Sequence, residues 1–231
     1  MHPLRHTADR VRPVVTRAVL LVALVAGLIA LARSDTLHEE LLGVLEAAKT
    51  MIAAHPVGGP LAFIGLSALS AMLAFVSGAV LVPAAVYAWG AGPTMLMLWF
   101  GWTLGGVTAW TLAAVLGRPL LRWLVAGEAL SRYQHLLDKR PRFSSVLLFQ
   151  LALPSEIPGY LLGLAHYPFP RYVAALMLAE LPYAIGTVLL GVGFVRRDTV
   201  TLVAVCLIGA VALAVVAGAL RARNDRNEDP R

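Results

Sequence analysis

Two carboxylates interrupt long apolar stretches of this 231-residue chain. Glu156 lies in FQLALPSEIPGYLLGLAHYPFP (149–170), between Pro154 and Pro158, and Glu180 lies in AALMLAELPYAIG, two residues before Pro182. An ionisable group at membrane depth is costly, so it pairs, lines a path or handles protons. Desolvation favours the protonated form of a carboxyl unless an arginine or water offsets it, which suits a proton carrier or a gate. A proline also frees a backbone carbonyl, and an acid beside it makes a polar spot inside a helix bundle. The plainer roles are a headgroup contact for Glu156 and a hydrogen bond to a neighbouring helix for Glu180.

Cations stand near these acids in the sequence. Arg118 and Arg122, one helical turn apart, follow a long apolar run, and Arg142 enters the segment that holds Glu156. They can hold a phosphate or pair with Glu156; their plainer role is cytoplasmic anchoring. Gln150 is a further polar member of the same segment, while Tyr160, His166 and Tyr167 read as anchors at the membrane interface. The sequence has no G-x-S-x-G, H-E-x-x-H or G-x-x-x-x-G-K, and its histidines at 2, 6, 38, 55, 135 and 166 form no ligand-spaced cluster. Cys206 is the one cysteine. No enzyme activity, cofactor or metal is expected from such a set.

The elements that must position these residues are membrane helices. Hydrophobic residues make up 59% of the chain and charged ones 14%, against about 25% charged in a soluble domain. Residues 57–117 contain no charged side chain, a length of 61 residues that suits lipid and not one small soluble core. The net charge of +6 comes from positives at the ends of apolar segments, which points to headgroups and away from nucleic acid.

The pattern predicts an all-α polytopic membrane protein with about four full spans at 14–32, 94–117, 170–194 and 199–220. Residues 33–49 and 118–142 read as interfacial amphipathic helices. The first span follows a basic stretch and looks like a signal peptide, but a polytopic chain favours an uncleaved first helix. Two proline- and glycine-broken segments read as re-entrant hairpins: one carries Gly78, Pro83 and Gly90, the other Pro154, Pro158 and Gly163. Pro182 is grouped with them as a helix breaker. Gly101, Gly105 and Gly106 give the span 94–117 a face for close packing.

The organisation is therefore 1–59, a span and an interfacial helix; 60–195, a core of two hairpin-plus-helix units; 196–220, a last span; and 221–231, a disordered tail. Pro83 and Pro93 recur as Pro158 and Pro168, 75 residues later, each pair leading into a long apolar helix. In the topology above those helices run in opposite directions, the layout of an inverted repeat. Segment 118–142 holds six Arg and Lys against two acids, whereas 33–49 holds two against four. The positive-inside rule then places both termini and 118–142 in the cytoplasm, with Arg196 and Arg197 outside as a mild exception.

The stretches SGAVLVPAAVYAWGAGPTMLMLWFGWTLGGVTAWTLAAVLGR (77–118) and LPSEIPGYLLGLAHYPFPRYVAALMLAELP (153–182) resemble the DedA-like, SNARE-associated Golgi (VTT-domain) superfamily. The resemblance covers roughly 60–195. It implies two inverted re-entrant hairpins enclosed by membrane helices, in a superfamily that includes lipid scramblases, bacterial translocators of undecaprenyl phosphate, and proteins linked to proton-motive force. Carried over, the family's acid falls on Glu156 and its closing arginine on Arg118. This chain departs from the family at Ser77–Gly78, where no acid is near, and at Leu148 or Gln150, where an arginine is common.

The leading expectation is movement of a membrane lipid between leaflets, with anionic and phosphorylated lipids among the substrates. Arg118, Arg122, Arg142 and Gln150 attract the headgroup; Glu156 and Glu180 take protons or gate the route. The alternatives are a proton- or ion-coupled transporter of a small solute and a non-transporting scaffold. Composition and the absence of transit features suggest a multi-pass protein of a bacterial inner (cytoplasmic) membrane.

Overall fold

The structure is a computed structural model that describes residues 43, 56–73, 81–117, 142–153 and 156–228. Within them lie seven helices: α1 (Gly58–Met72), α2 (Val82–Trp89), α3 (Ala91–Leu116), α4 (Phe143–Ala152), α5 (Glu156–Leu164), α6 (Phe169–Val195) and α7 (Thr199–Glu228). The expected span 14–32, most of 33–49, and Gly78, Arg118, Arg122 and Pro154 lie outside the described residues.

Proline and glycine mark where the helices start and stop. Pro83 and Pro158 sit in the first turns of α2 and α5, where a missing N–H costs no intrahelical hydrogen bond. Gly90 separates α2 from α3 at φ 82°, and Gly117 closes α3 at φ 65°, a backbone region that a side chain makes costly. Pro182 belongs to no hairpin: α6 runs through it unbroken. A proline there leaves carbonyls of the preceding turn short of donors, and the Trp99 indole donates to the Met177 carbonyl at 3.0 Å. The last helix also differs from expectation. It continues to Glu228, through most of the segment 221–231 predicted to lack structure; alanine and arginine there are good helix formers and extend a helix already nucleated.

Helices α3 and α6 are long and apolar enough to cross a membrane, at 26 and 27 residues. At 1.5 Å per residue each reaches about 40 Å, beyond a hydrocarbon core of about 30 Å. Their outer faces carry the large apolar side chains: Leu96, Phe100 and Leu104 follow one another at one-turn spacing on α3, all exposed. Their inner faces carry small and polar ones, among them Gly101, Gly105, Thr94 and Glu180. That arrangement inverts a water-soluble helix, and it suits a bundle that meets lipid outside and packs by close approach inside. Thr108 and Thr111 return their hydroxyls to carbonyls of their own helix at 2.8 Å, which satisfies them without water.

The two halves repeat. The series α1, α2, α3 has lengths of 15, 8 and 26 residues, and α4, α5, α6 has 10, 9 and 27. Each long helix packs on the first helix of its own half (α1 on α3, α4 on α6) and on the middle helix of the other (α5 on α3, α2 on α6). The cores correspond residue by residue at the offset of 75. Val82, Ala85 and Val86 pack in one core cluster with Ala184 and Val188; Ile157, Tyr160 and Leu161 pack in another with Ala109 and Ala113. The long helices run antiparallel, since Leu98 shares a cluster with Ala184 and Val188, Gly106 faces Leu176, and Trp110 meets Phe169 with ring centroids 5.0 Å apart.

Candidate functional site

Helix α4 is short, ends at Ala152 and gives way to extended backbone at Leu153, so the carbonyls of its last turn lack intrahelical donors. Tyr183, on α6, donates its hydroxyl to one of them, the Leu151 carbonyl. Lower on α4, Val146 packs in a cluster with Tyr172, Ala175 and Leu176 of α6. The two helices are therefore parallel, and Gln150, between Val146 and Leu151, stands level with Glu180, between Leu176 and Tyr183.

Both side chains are buried, Gln150 at 4% exposed and Glu180 at 6%. Tyr172 and Tyr183 lie within electrostatic reach of the Glu180 carboxylate. Tyr172, Leu176 and Glu180 are spaced by one turn, so they share a face of α6. The Tyr172 hydroxyl is held by the Gly106 carbonyl at 2.8 Å, which ties this face to α3. Gln150 differs from these groups: neither its amide oxygen nor its amide nitrogen has a hydrogen-bond partner. A buried amide left this way costs about 1–3 kcal/mol, so its retention points to a use.

The sequence-derived residues divide accordingly. Glu180 and Gln150 come together at the interface of α4 and α6. Glu156 opens α5, just beyond the break that follows α4. Arg142 is exposed at the start of α4, eight residues or about 12 Å from Gln150. Pro158 and Gly163 pack within the bundle, and a side chain at Gly163 meets the Trp110 carbonyl. His166 is exposed, but Tyr160 and Tyr167 are buried at 1% and 6%, and neither is an interface anchor. Tyr160 donates to the Met72 carbonyl at 3.1 Å, and so serves the end of α1 as Tyr183 serves the end of α4. Tyr172 and Tyr183 escaped sequence reasoning; the signal that could have found them is their helical spacing from Glu180. Among the described residues no group of three His, Cys, Asp or Glu could hold a metal ion.

The family model of the VTT domain matches residues 75–193, which include both halves of the repeat and every member of this site. The chain belongs to the VTT domain family. No curated protein and no solved structure matches it. Within this VTT domain the paired tyrosines, the glutamate and the glutamine all fall on α4 to α6. At the offset of 75, Glu180 corresponds to Gly105 and Tyr183 to Thr108, so the polar site has no copy in the first half.

Proposed function

We propose that this protein moves a membrane lipid between leaflets, as a scramblase or flippase acting on a phospholipid or a polyprenyl-phosphate lipid. The observation that carries the reading is the buried polar set of Gln150, Glu180 and Tyr183, placed beside a helix break inside a bundle whose outer face is apolar. A lipid crossing a bilayer needs a polar route for its headgroup while its tails stay in hydrocarbon, and a broken helix pair against a long helix supplies one. Membership of the VTT domain family supports a role in membrane lipid handling. No bond is made or broken in this reading. Glu180 and Glu156 gate the route or take protons, and Arg142, with Arg118 and Arg122, gathers headgroups at the cytoplasmic face. The protein sits in a bacterial inner membrane with both termini in the cytoplasm.

The test is a fluorescent-lipid translocation assay in proteoliposomes, with phospholipid and polyprenyl-phosphate substrates and with Glu180→Gln and Glu156→Gln beside the native chain. Movement by the native chain that falls about tenfold or more in Glu180→Gln is the expected result, the order of one lost charged hydrogen bond. No movement of either lipid class by folded native protein overturns the reading, and saturable uptake of a small solute in its place establishes a solute transporter.

A further inference from the structure

We infer that the Gln150–Glu180 site receives a primary ammonium group, with the Glu180 carboxylate as its counter-ion and the Gln150 amide oxygen as a further acceptor. The argument starts from which atoms at this level can donate and which can accept. Glu180 offers carboxylate oxygens, Gln150 an unpartnered amide oxygen, and the Tyr172 and Tyr183 hydroxyls keep lone pairs after donating to Gly106 and Leu151. The one free donor among these groups is the Gln150 amide nitrogen. Among the described residues the arginines lie elsewhere: Arg142, Arg171, Arg196 and Arg197 are all exposed near helix ends.

An anionic phosphate carried to this depth therefore meets a carboxylate with no described cation beside it, a costly pairing in a low-dielectric site. A primary ammonium instead brings three N–H donors to a site rich in acceptors. A phosphate attached to that ammonium has the Gln150 amide nitrogen to bind. Two sources carry such a group, the ethanolamine headgroup of a phospholipid and a free amine. The inference deepens the transport reading and rests on it for the lipid source, whereas binding is measurable without transport.

The experiment compares binding of phosphatidylethanolamine, phosphatidylcholine and a polyprenyl phosphate to the full-length purified chain by native mass spectrometry, with free ethanolamine as a soluble probe. Phosphatidylcholine is the informative contrast, since its quaternary nitrogen has no N–H. Roughly tenfold preference for phosphatidylethanolamine is expected, with loss of that preference in both Gln150→Met and Glu180→Gln. Gln150→Met removes two unpartnered polar atoms at similar volume, so its melting temperature rises while its binding falls; a residue needed only for packing shows no such split. Glu180→Gln tests the same point if the methionine variant folds poorly. Equal binding of the three lipids, or an ammonium preference that survives in a folded variant, overturns the inference. Ethanolamine bound tightly in the absence of lipid assigns the site to a free amine. Ammonium-selective binding without lipid movement sinks the translocation reading alone, and lipid movement without ammonium preference sinks this inference alone.

Discussion

At the scale of single residues, hydrogen-bond accounting separates function from structure in this bundle. Tyr160, Tyr172 and Tyr183 each donate to a backbone carbonyl of another helix, so their hydroxyls tie the structure together. Asp198 does comparable work in the turn between α6 and α7. Its carboxylate accepts the backbone N–H of Val200 and Thr201, at 3.1 and 3.2 Å, and the Thr201 hydroxyl at 2.5 Å. These bonds start α7, and the Thr201 hydroxyl foremost holds the carboxyl below its usual range. A carboxyl lowered in the folded state contributes stability that is complete above the unfolded value, about 3.9, and is lost as pH falls through the folded one. The melting temperature of Asp198→Ala should therefore lie below that of the native chain at neutral pH, and the gap should hold down to about pH 4 and close below it. Asp198→Asn keeps a cap without the charge, so its gap should vary little with pH; a native-to-alanine gap that closes near neutrality contradicts the assignment. Glu180 and Gln150 were legible in the sequence because a polar side chain in an apolar run is conspicuous whatever its partners. The tyrosines were not. An amphipathic aromatic reads equally as an interface anchor or a buried donor, and only the helix packed against it decides which.

At the scale of elements, close approach of backbones holds the first half together. A side-chain carbon at Gly101 stands 2.6 Å from Ser67 Cβ and 2.9 Å from the Ile64 carbonyl, and one at Gly105 meets the Ala68 carbonyl of α1. Gly163 seats α5 on α3 in the same manner, against Trp110. Lipid offers no hydrophobic drive for helices to associate, so contacts of this kind carry much of the stability. Gly105→Ala and Gly163→Ala should each lower stability by about 1–3 kcal/mol, because the opposing atoms are backbone and cannot turn aside. Gly65 and Gly186 have open space at the same position, and alanine at either should raise stability by about 0.5 kcal/mol. Reversible unfolding in mixed micelles reads both signs, and a uniform loss across the four variants refutes the packing argument. The glycine stripe 101, 105, 106 was legible from spacing alone. The division of each broken segment into two helices was not, since a short apolar run gives no period that distinguishes a tight hairpin from a helix end followed by a new helix.

At the scale of the whole molecule, the repeat and the site obey different symmetries. Proline spacing revealed the repeat in the sequence, and matched clusters such as Val86 on Val188 and Leu161 on Ala113 extend it through the core. The polar groups break it. Where α4 meets α6 through Gln150, Glu180 and Tyr183, α1 meets α3 through Ser67, Ala68, Gly101 and Gly105 in direct contact. A tightly packed contact resists opening, while one that holds an unsatisfied amide loses little by parting. The moving part should then be α4, hinged at the extended backbone of Leu153, against a fixed frame of α1, α3 and α5. A disulfide between cysteines placed at Val146 and Ala175, which share a cluster across α4 and α6, should abolish lipid movement until it is reduced. A disulfide between cysteines at Ala113 and Leu161, across α3 and α5, should leave it intact. Both are made in a Cys206→Ser background, with bond formation followed by the shift it causes on a non-reducing gel. Block by the second bond, or free movement with the first one closed, places the motion in the other half.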